Sequence, residues 1–355
     1  MKKRKILFAL AGAGAGNITR ACAVIDELDS ERFDFAFIAQ GRAHQLAPPG
    51  FPMVRLRDVS YGTGHFSAWR IVLSNLAFPV RYLWNRRRCA QALDEMRPDL
   101  LVVDSDFYCF GEARRRHIPI LSVNSSPATV EQVQRMGGPP PGTLFSYHCI
   151  EKVDRWLQYR YADRIVCPVL EPLVVRHARV CPVPPVVRRQ FLGGARPGAE
   201  DRRYDVAVML GGSGLGASDI DLAGVDGSMV VLGDTTGARL PSTAERVPFT
   251  TEPAAWLSRA RILVIQAGFN SVSEAVALRK PSVIIPIAHH VEQLVNACTA
   301  RQLGLGTVAR GCDAAAAITS IRQDLETVEG RCEALSVPCD GAAHIARHIE
   351  EMAGA

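Results

Sequence analysis

The amino-acid sequence predicts an α/β protein made of two doubly wound, parallel-sheet domains. Three observations point there. Short apolar runs alternate with helical stretches along the first half. A proline- and glycine-rich connection interrupts this pattern around residues 182–198, and the same alternation then restarts. The length of 355 residues exceeds one typical domain and fits two.

In chain order, the first strand is expected at Lys5–Leu10. The preceding Met1-Lys2-Lys3-Arg4-Lys5 resembles the start of a signal peptide, but the apolar run stops at a glycine-rich stretch, Gly12–Gly16, so a strand is the better reading. Further strands are expected over Phe33–Ala39, Met53–Leu56, Leu100–Asp104, Ile118–Val123 and Arg164–Cys167. Each is rich in Val, Ile, Leu or Phe and bounded by turn residues. Helices lie between them, such as Thr19–Leu28 and Asn85–Met96. The alternation argues for a parallel sheet covered on both faces. Pro182-Val183-Pro184-Pro185 stiffens the connection that follows, and Gly193-Gly194-Ala195-Arg196-Pro197-Gly198 loosens it. Beyond it come strands Asp205–Leu210, Met229–Leu232, Ile262–Ile265 and Ser282–Ile285, with helices Ser271–Leu278 and Glu292–Leu303. The stretch Ala217–Ser228 is short and rich in Asp and Gly, and a full helix is not expected there. The expected domains are 1–192 and 193–335. A helix within 336–355, read from the composition of Ala342–Met352, is expected to pack back toward the first domain.

The chain is 48% hydrophobic and 22% charged, as folded chains are. No apolar run reaches the roughly 18 residues that a spanning helix needs. Ten cysteines are scattered from Cys22 to Cys339 with no C-x-x-C pair and no zinc spacing. Thiols without a framework suggest a reducing compartment, so a cytoplasmic location is expected. The net charge of +5 is uneven. Residues 1–196 hold 28 Lys/Arg against 17 Asp/Glu, and residues 197–355 hold 13 against 19. The basic half either meets something anionic or is a plain solvated face. Within it, residues 68–88 mix Trp69, Phe78, Tyr82 and Trp84 with Arg70, Arg81, Arg86, Arg87 and Arg88. This segment reads as a peripheral contact with the inner face of a membrane, or as an amphipathic helix with core aromatics and solvated arginines. Nucleic acid is not an expected partner, because no binding motif accompanies the charge.

Three segments carry chemistry. In Val208-Met209-Leu210-Gly211-Gly212-Ser213-Gly214-Leu215-Gly216 a strand enters a glycine-rich turn. Such a turn lets backbone N–H groups approach an anion, or serves as an ordinary tight turn. In Gln266-Ala267-Gly268-Phe269-Asn270-Ser271-Val272-Ser273-Glu274-Ala275 a strand opens into a helix. Ser271 and Glu274 have capping-box spacing, S-x-x-E. The same geometry offers a diphosphate site at the helix N-terminus, with a carboxylate able to accept hydrogen bonds from ribose hydroxyls. In the third segment, His289-His290-Val291-Glu292-Gln293, an adjacent acid and amide enter a helix and suit a sugar's hydroxyls. Two adjacent histidines without a third ligand nearby make a poor metal site.

The order G-G-S, G-x-N-S-x-x-E-A, P, P, E-Q-x-x-N-A resembles the nucleotide-sugar domain of inverting GT-B glycosyltransferases. Among these, it is similar to bacterial peptidoglycan N-acetylglucosaminyltransferases and to antibiotic-tailoring and plant UDP-glycosyltransferases. The resemblance is specific over about residues 205–306; over 1–190 it rests on Gly12–Gly16, Arg20 and the strand order. It implies GT-B architecture, two Rossmann-like domains facing across a cleft. It also implies transfer of a sugar from a UDP-sugar, with a TDP-sugar second, to a hydroxyl of a small-molecule or lipid-linked acceptor. No cofactor and no obligatory metal are implied. Carried over, Glu274 holds the ribose, while Gly268, Asn270 and Ser271 face the diphosphate. Glu292 and Gln293 read the donor sugar. Gly212 and Ser213 lie near the nucleotide, Phe249 frames the base, and Arg188 resembles an arginine that contacts the donor. Gly14, Gly16 and Asn17 form the acceptor-side loop. Gln266 stands where many tailoring and plant relatives carry histidine, which makes one phosphate contact neutral. Asn17 also stands where many relatives carry histidine, which removes a candidate base.

Retaining relatives carry a second glutamate that would fall at Ser282, so the resemblance implies inversion. The acceptor hydroxyl then attacks the anomeric carbon directly, and one general base must take its proton. Asp104 and Asp106, at the end of a strand where ligand crevices lie, are candidates, and so is His65. Each is equally a cap or turn residue. Two other functions share this architecture. A non-hydrolysing UDP-sugar 2-epimerase is expected to carry a glutamate pair near the Gly268 loop, where only Glu274 stands. A non-catalytic nucleotide-sugar-binding protein is the other, and the intact Asn270–Glu274 and Glu292–Gln293 segments argue against such decay.

Overall fold

In the computed structural model, residues 2–12, 14–59, 67–193, 203–211, 216–248 and 250–354 are described. The chain divides into two units. Unit 1 gathers Met1–Tyr61, Ala68–Val186 and Asp340–Ala355, and unit 2 is built on Val187–Cys339.

The strands of unit 1 are β1 (Arg4–Leu10), β2 (Phe33–Ala39), β3 (Met53–Arg55), β4 (Leu100–Asp104), β5 (Ile120–Val123), β6 (Arg164–Pro168) and β7 (Val180–Val183). They form one parallel sheet in the order β3-β2-β1-β4-β5-β6-β7. Side chains alternate between its two faces, and both faces are buried. Ile6, Phe8 and Leu10 enter one core with Leu100 and Val102. Leu7 and Ala9 enter the other with Leu101 and Val103. The helix Gly341–Ala353 completes the first core with Ala342, Ile345, Ala346, Ile349 and Ala353. Its entry is tight: Gly341 donates its N–H to the Pro185 carbonyl, and a Cβ at Gly341 would lie 2.1 Å from the Pro184 oxygen.

Unit 2 repeats the scheme with β8 (Tyr204–Met209), β9 (Met229–Leu232), β10 (Glu245–Val247), β11 (Ala260–Gln266), β12 (Ser282–Ile285) and β13 (Gly306–Val308). The order is β10-β9-β8-β11-β12-β13, again parallel throughout. In each unit the strand order reverses beside the first strand, between β1 and β4 and between β8 and β11. Doubly wound sheets bind ligands at such points, beyond the strands' carboxyl ends.

Several expectations are corrected. Pro182 and Val183 belong to edge strand β7 rather than to a connection. An edge tolerates a residue without an N–H, which is why proline fits there. The strands β10 and β13 were not visible as apolar runs. The helix expected at Asn85–Met96 begins earlier, at Phe78. After β8 only one 3-10 turn, Ala217–Asp219, is described before β9, as the composition suggested.

Candidate active site

In unit 2 the crevice residues gather at the ends of β8 and β11. Gln266 ends β11, and its side-chain oxygen accepts the Gly211 N–H at 2.7 Å. A Cβ at Gly211 would sit 2.4 Å from that oxygen, so a larger residue there would push the Gln266 side chain aside. The helix Phe269–Leu278 follows, with Gly268 as its N-cap. The capping box read from the spacing is not formed. Ser271 is the third helical residue rather than the cap, and Glu274 reaches Arg188 instead of turning back. Arg188 brings Nε and a terminal nitrogen to Glu274 Oε1, each at 2.7 Å, and its guanidinium lies over Phe191. Both contacts end on Oε1; among the described residues no hydrogen bond reaches Oε2. Burial pushes the Glu274 carboxyl above the usual range, and Arg188 pulls it back.

Two further residues tie the helix Val291–Gln302 to this edge. Asn296 donates to the Ala267 carbonyl at 3.1 Å, and Gln293 Oε1 accepts the Ile287 N–H at 2.9 Å. That bond holds the Gln293 side chain by its oxygen and leaves its NH2 group to donate. Glu292 is half-buried in the first turn. Gly268, Asn270 and Ser271 are also half-buried, and a Cβ at Gly268 would meet no protein atom within 4 Å. Gly212, Ser213 and Phe249 lie outside the described residues, as does His65.

In unit 1 the ends of β1 and β4 are joined by a buried fork. Arg20 donates from Nε to Asp104 Oδ2 and from a terminal nitrogen to Asp104 Oδ1, both at 2.8 Å. The same arginine reaches Asn17 Oδ1 at 3.2 Å, and the Asn17 amide donates to the Ala11 carbonyl. Asn17 therefore fixes the loop after β1, on the helix Gly16–Ile25 that Gly16 opens. Gly14, half-buried in that loop, has open space where a Cβ would be.

The two aspartates expected as base candidates are both engaged. Asp104 carries Arg20 and is 3% exposed. Asp106 is 0% exposed; its Oδ1 accepts the Tyr108 and Cys109 N–H groups, and its Oδ2 accepts from Gln40. Burial raises the Asp106 carboxyl, and the two backbone bonds offset part of that rise. These are the contacts of a turn-capping residue. Cys89 and Cys109 lie close enough to Asp106 to be considered as a metal-binding group. It is a poor donor set: burial holds the Cys109 thiol protonated, and Asp106 already serves backbone donors.

Next to this fork is a group that the sequence reading missed. Asp154, on the helix Lys152–Tyr161, accepts from Asn124 Nδ2 at 2.6 Å and from Ser126 Oγ at 3.1 Å. Asn124 follows β5 directly, and it also donates to the Ser105 hydroxyl just past β4. Ser105 holds φ +57°, a conformation that costs a non-glycine residue energy and clusters at functional sites.

Among solved structures the chain is similar, over nearly its full length, to GT-B glycosyltransferases. MurG of Acinetobacter baumannii aligns with TM-score 0.60 and 16% identity, over 99% of this chain and 100% of that one. TcCGT1 in complex with UDP aligns with TM-score 0.66 and 12% identity, over 99% and 100%. SsfS6 of Streptomyces sp. SF2575, complexed with thymidine diphosphate, aligns with TM-score 0.59 and 14% identity, over 98% and 99%. These likenesses establish the fold. The model of the family described as Glycosyl transferase family 1 matches residues 4–323; the chain belongs to that family and is an enzyme that transfers glycosyl groups. No curated protein matches it.

Proposed function

We propose that the enzyme transfers a sugar from UDP, with TDP as the second choice of carrier, to a hydroxyl acceptor with inversion at the anomeric carbon. Glu274 carries this reading. It is a buried carboxylate, fixed through one oxygen by Arg188 and open at the other, in the helix that begins at the end of β11. Vicinal ribose hydroxyls suit such an acceptor. The helix N-terminus at Gly268 offers N–H groups and a positive dipole end to the diphosphate, and so can stabilise the leaving group without a metal. The UDP and thymidine diphosphate held by two structural neighbours are consistent with this choice. Glu292 and the free NH2 of Gln293 would read the sugar. The acceptor's proton needs a base on unit 1, where Asp104 and Asp106 fit anchoring roles better than proton transfer.

Calorimetry should show UDP binding in the presence of a chelator. Gly268→Ala should weaken it at least tenfold with little change in stability, because the protein leaves room for the methyl group and alanine adopts φ −63°, ψ 142° readily. Strict dependence on magnesium, or full affinity in Gly268→Ala, would count against the diphosphate site.

A second observation bears on the acceptor. The helices Ala68–Ser74 and Phe78–Met96 and the turn between them expose Trp69, Val72, Leu73, Leu76, Val80 and Leu83, with Trp69 70% and Leu76 74% accessible. Spacings of three and four residues put Trp69, Val72 and Leu73 on one face of the first helix, and Val80 and Leu83 on one face of the second. Of the aromatics noted in the sequence, Phe78 and Tyr82 pack on Phe107, and Trp84 lies between Arg57 and Arg88; Trp69 points out. Arg70, Arg87 and Arg88 are exposed nearby in sequence. No helix among the described residues is long and apolar enough to cross a membrane. We infer peripheral contact with anionic lipid, which favours a lipid-linked acceptor. The protein should co-sediment with vesicles containing phosphatidylglycerol and not with phosphatidylcholine alone. Leu76→Ser/Val80→Ser should release it, and equal sedimentation of that variant would remove the idea.

A further inference from the structure

We infer that Asp154 is the general base that takes the proton of the acceptor hydroxyl. This rests on the transfer reaction proposed above. The position is right for it: Asn124 and Ser126 follow β5, Ser105 follows β4, and Asp154 is bound to the first two and linked through Asn124 to the third. It therefore lies at the carboxyl edge of the sheet, where doubly wound folds present reactive groups. Unlike Asp104 and Asp106, it is only half-buried. The hydrogen bonds from Asn124 and Ser126 both end on Oδ2; among the described residues no hydrogen bond of ordinary geometry reaches Oδ1, which is left to receive a proton. No lysine or arginine pairs with it among the described residues. The backbone before it is unusual too, a π-helix over Ser146–Glu151 running into the helix that carries Asp154. Such insertions are frequent at functional sites.

The charged groups around Asp154 leave it basic enough to act. Asp104, across from it, is matched by Arg20. Glu151, one turn before, shares the single Ser126 hydroxyl proton with it. On neighbouring helices Glu112 is held by Arg86, Arg115 and Arg116, Arg114 pairs with Asp163, and Glu131 pairs with Arg135. Burial pushes the Asp154 carboxyl up to about 6, hydrogen bonds from Ser126 and Asn124 restrain the rise, and Asp104 adds to it. At neutral pH the group is ionised, yet it is a far stronger base than an exposed aspartate. In the step itself the acceptor's O–H proton passes to Oδ1. The oxygen's electron pair forms the new bond to the anomeric carbon. The bond from that carbon to the diphosphate oxygen breaks, and its electrons leave on UDP. Asp154 then returns its proton to solvent.

The test uses the full chain, with UDP-glucose as donor and water as acceptor, and reads UDP release against pH alongside UDP calorimetry. Asp154→Asn should bind UDP as the wild type does, release it at least about 10²-fold more slowly, and lose the acid limb near pH 6. Ser126→Ala removes a hydrogen bond that favours the charged carboxylate. It should stay active with its acid limb displaced to higher pH, a shift that a purely structural role would not produce. If the wild type fails to bind UDP, the donor reading falls and this inference with it. If UDP binds normally, the inference alone is overturned by any of three results: no enzymatic UDP release, a wild-type rate and limb in Asp154→Asn, or loss of the limb in Asp106→Asn or His65→Ala instead.

Discussion

Replacing Arg20 with alanine should destabilise unit 1 by about 3–5 kcal/mol, the range for leaving one member of a buried ion pair alone. The pair is well made: two parallel N–H···O contacts of 2.8 Å, with side chains 9% and 4% exposed. Without the guanidinium, the buried Asp104 carboxylate is left without its partner, and Asn17 loses the partner of its side-chain oxygen. Lysine should not restore the pair, since a single ammonium cannot fork across both carboxylate oxygens. Arg20→Met/Asp104→Leu should recover most of the loss, because removing both charges removes the desolvation penalty as well. Denaturant unfolding of the three variants checks this. A loss below about 1 kcal/mol in Arg20→Ala would mean that the fork is not a stabilising contact. UDP affinity should not change, because the proposed donor residues belong to unit 2.

The second large effect concerns Arg188 and Glu274. Glu274→Ala should weaken UDP binding by roughly 1.5–3 kcal/mol, the value of hydrogen bonds to a charged group. Arg188→Ala should instead act mainly on stability, by about 3 kcal/mol at pH 8, since it strands a buried carboxylate. The sign of its pH dependence follows from burial. Glu274's carboxyl is raised in the folded state, so between the ordinary glutamate range and that raised value the folded protein holds a proton that the unfolded chain lacks. Stability therefore rises as pH falls through that window. Loss of Arg188 removes the group that lowers the carboxyl's pKa and extends the window upward. The deficit of Arg188→Ala relative to wild type should shrink from pH 8 to pH 5. An equal deficit at both pH values would show that Glu274 is not the stranded group.

What the sequence revealed and what it hid have one physical cause. Central strands such as Leu100–Asp104, Met229–Leu232 and Ser282–Ile285 are buried on both faces, so their composition alone marks them. The edge strands β7, β10 and β13 need burial on fewer sides, and they tolerate Pro182, Glu245 and Gly306. Nothing in Glu245-Arg246-Val247 separates a strand from a loop. The candidate site divides in the same way. The segment from Gln266 to Glu274 is local, a strand end running into a helix, and its pattern is visible in a dozen residues. Its actual contact is not local: the S-x-x-E spacing pointed to a cap, while the glutamate's partner lies 86 positions away. Asp154 left no signal, because Asn124, Ser126 and Asp154 come together only through the fold and no spacing links them.

The path of the chain through unit 1 has a consequence for its biosynthesis. β1 to β7 emerge first, but the apolar face that includes Ile18, Ala21, Val24 and Phe37 is completed by residues 342–353, translated after all of Val187–Cys339. At about 5–20 residues per second, that face waits many seconds for its last helix. The stretch Val187–Cys339, on which unit 2 is built, is made in one continuous run. The first sheet therefore cannot complete its core until the chain of the second domain has been made. During that interval the uncovered face of the first sheet is the surface on which a holdase chaperone would act.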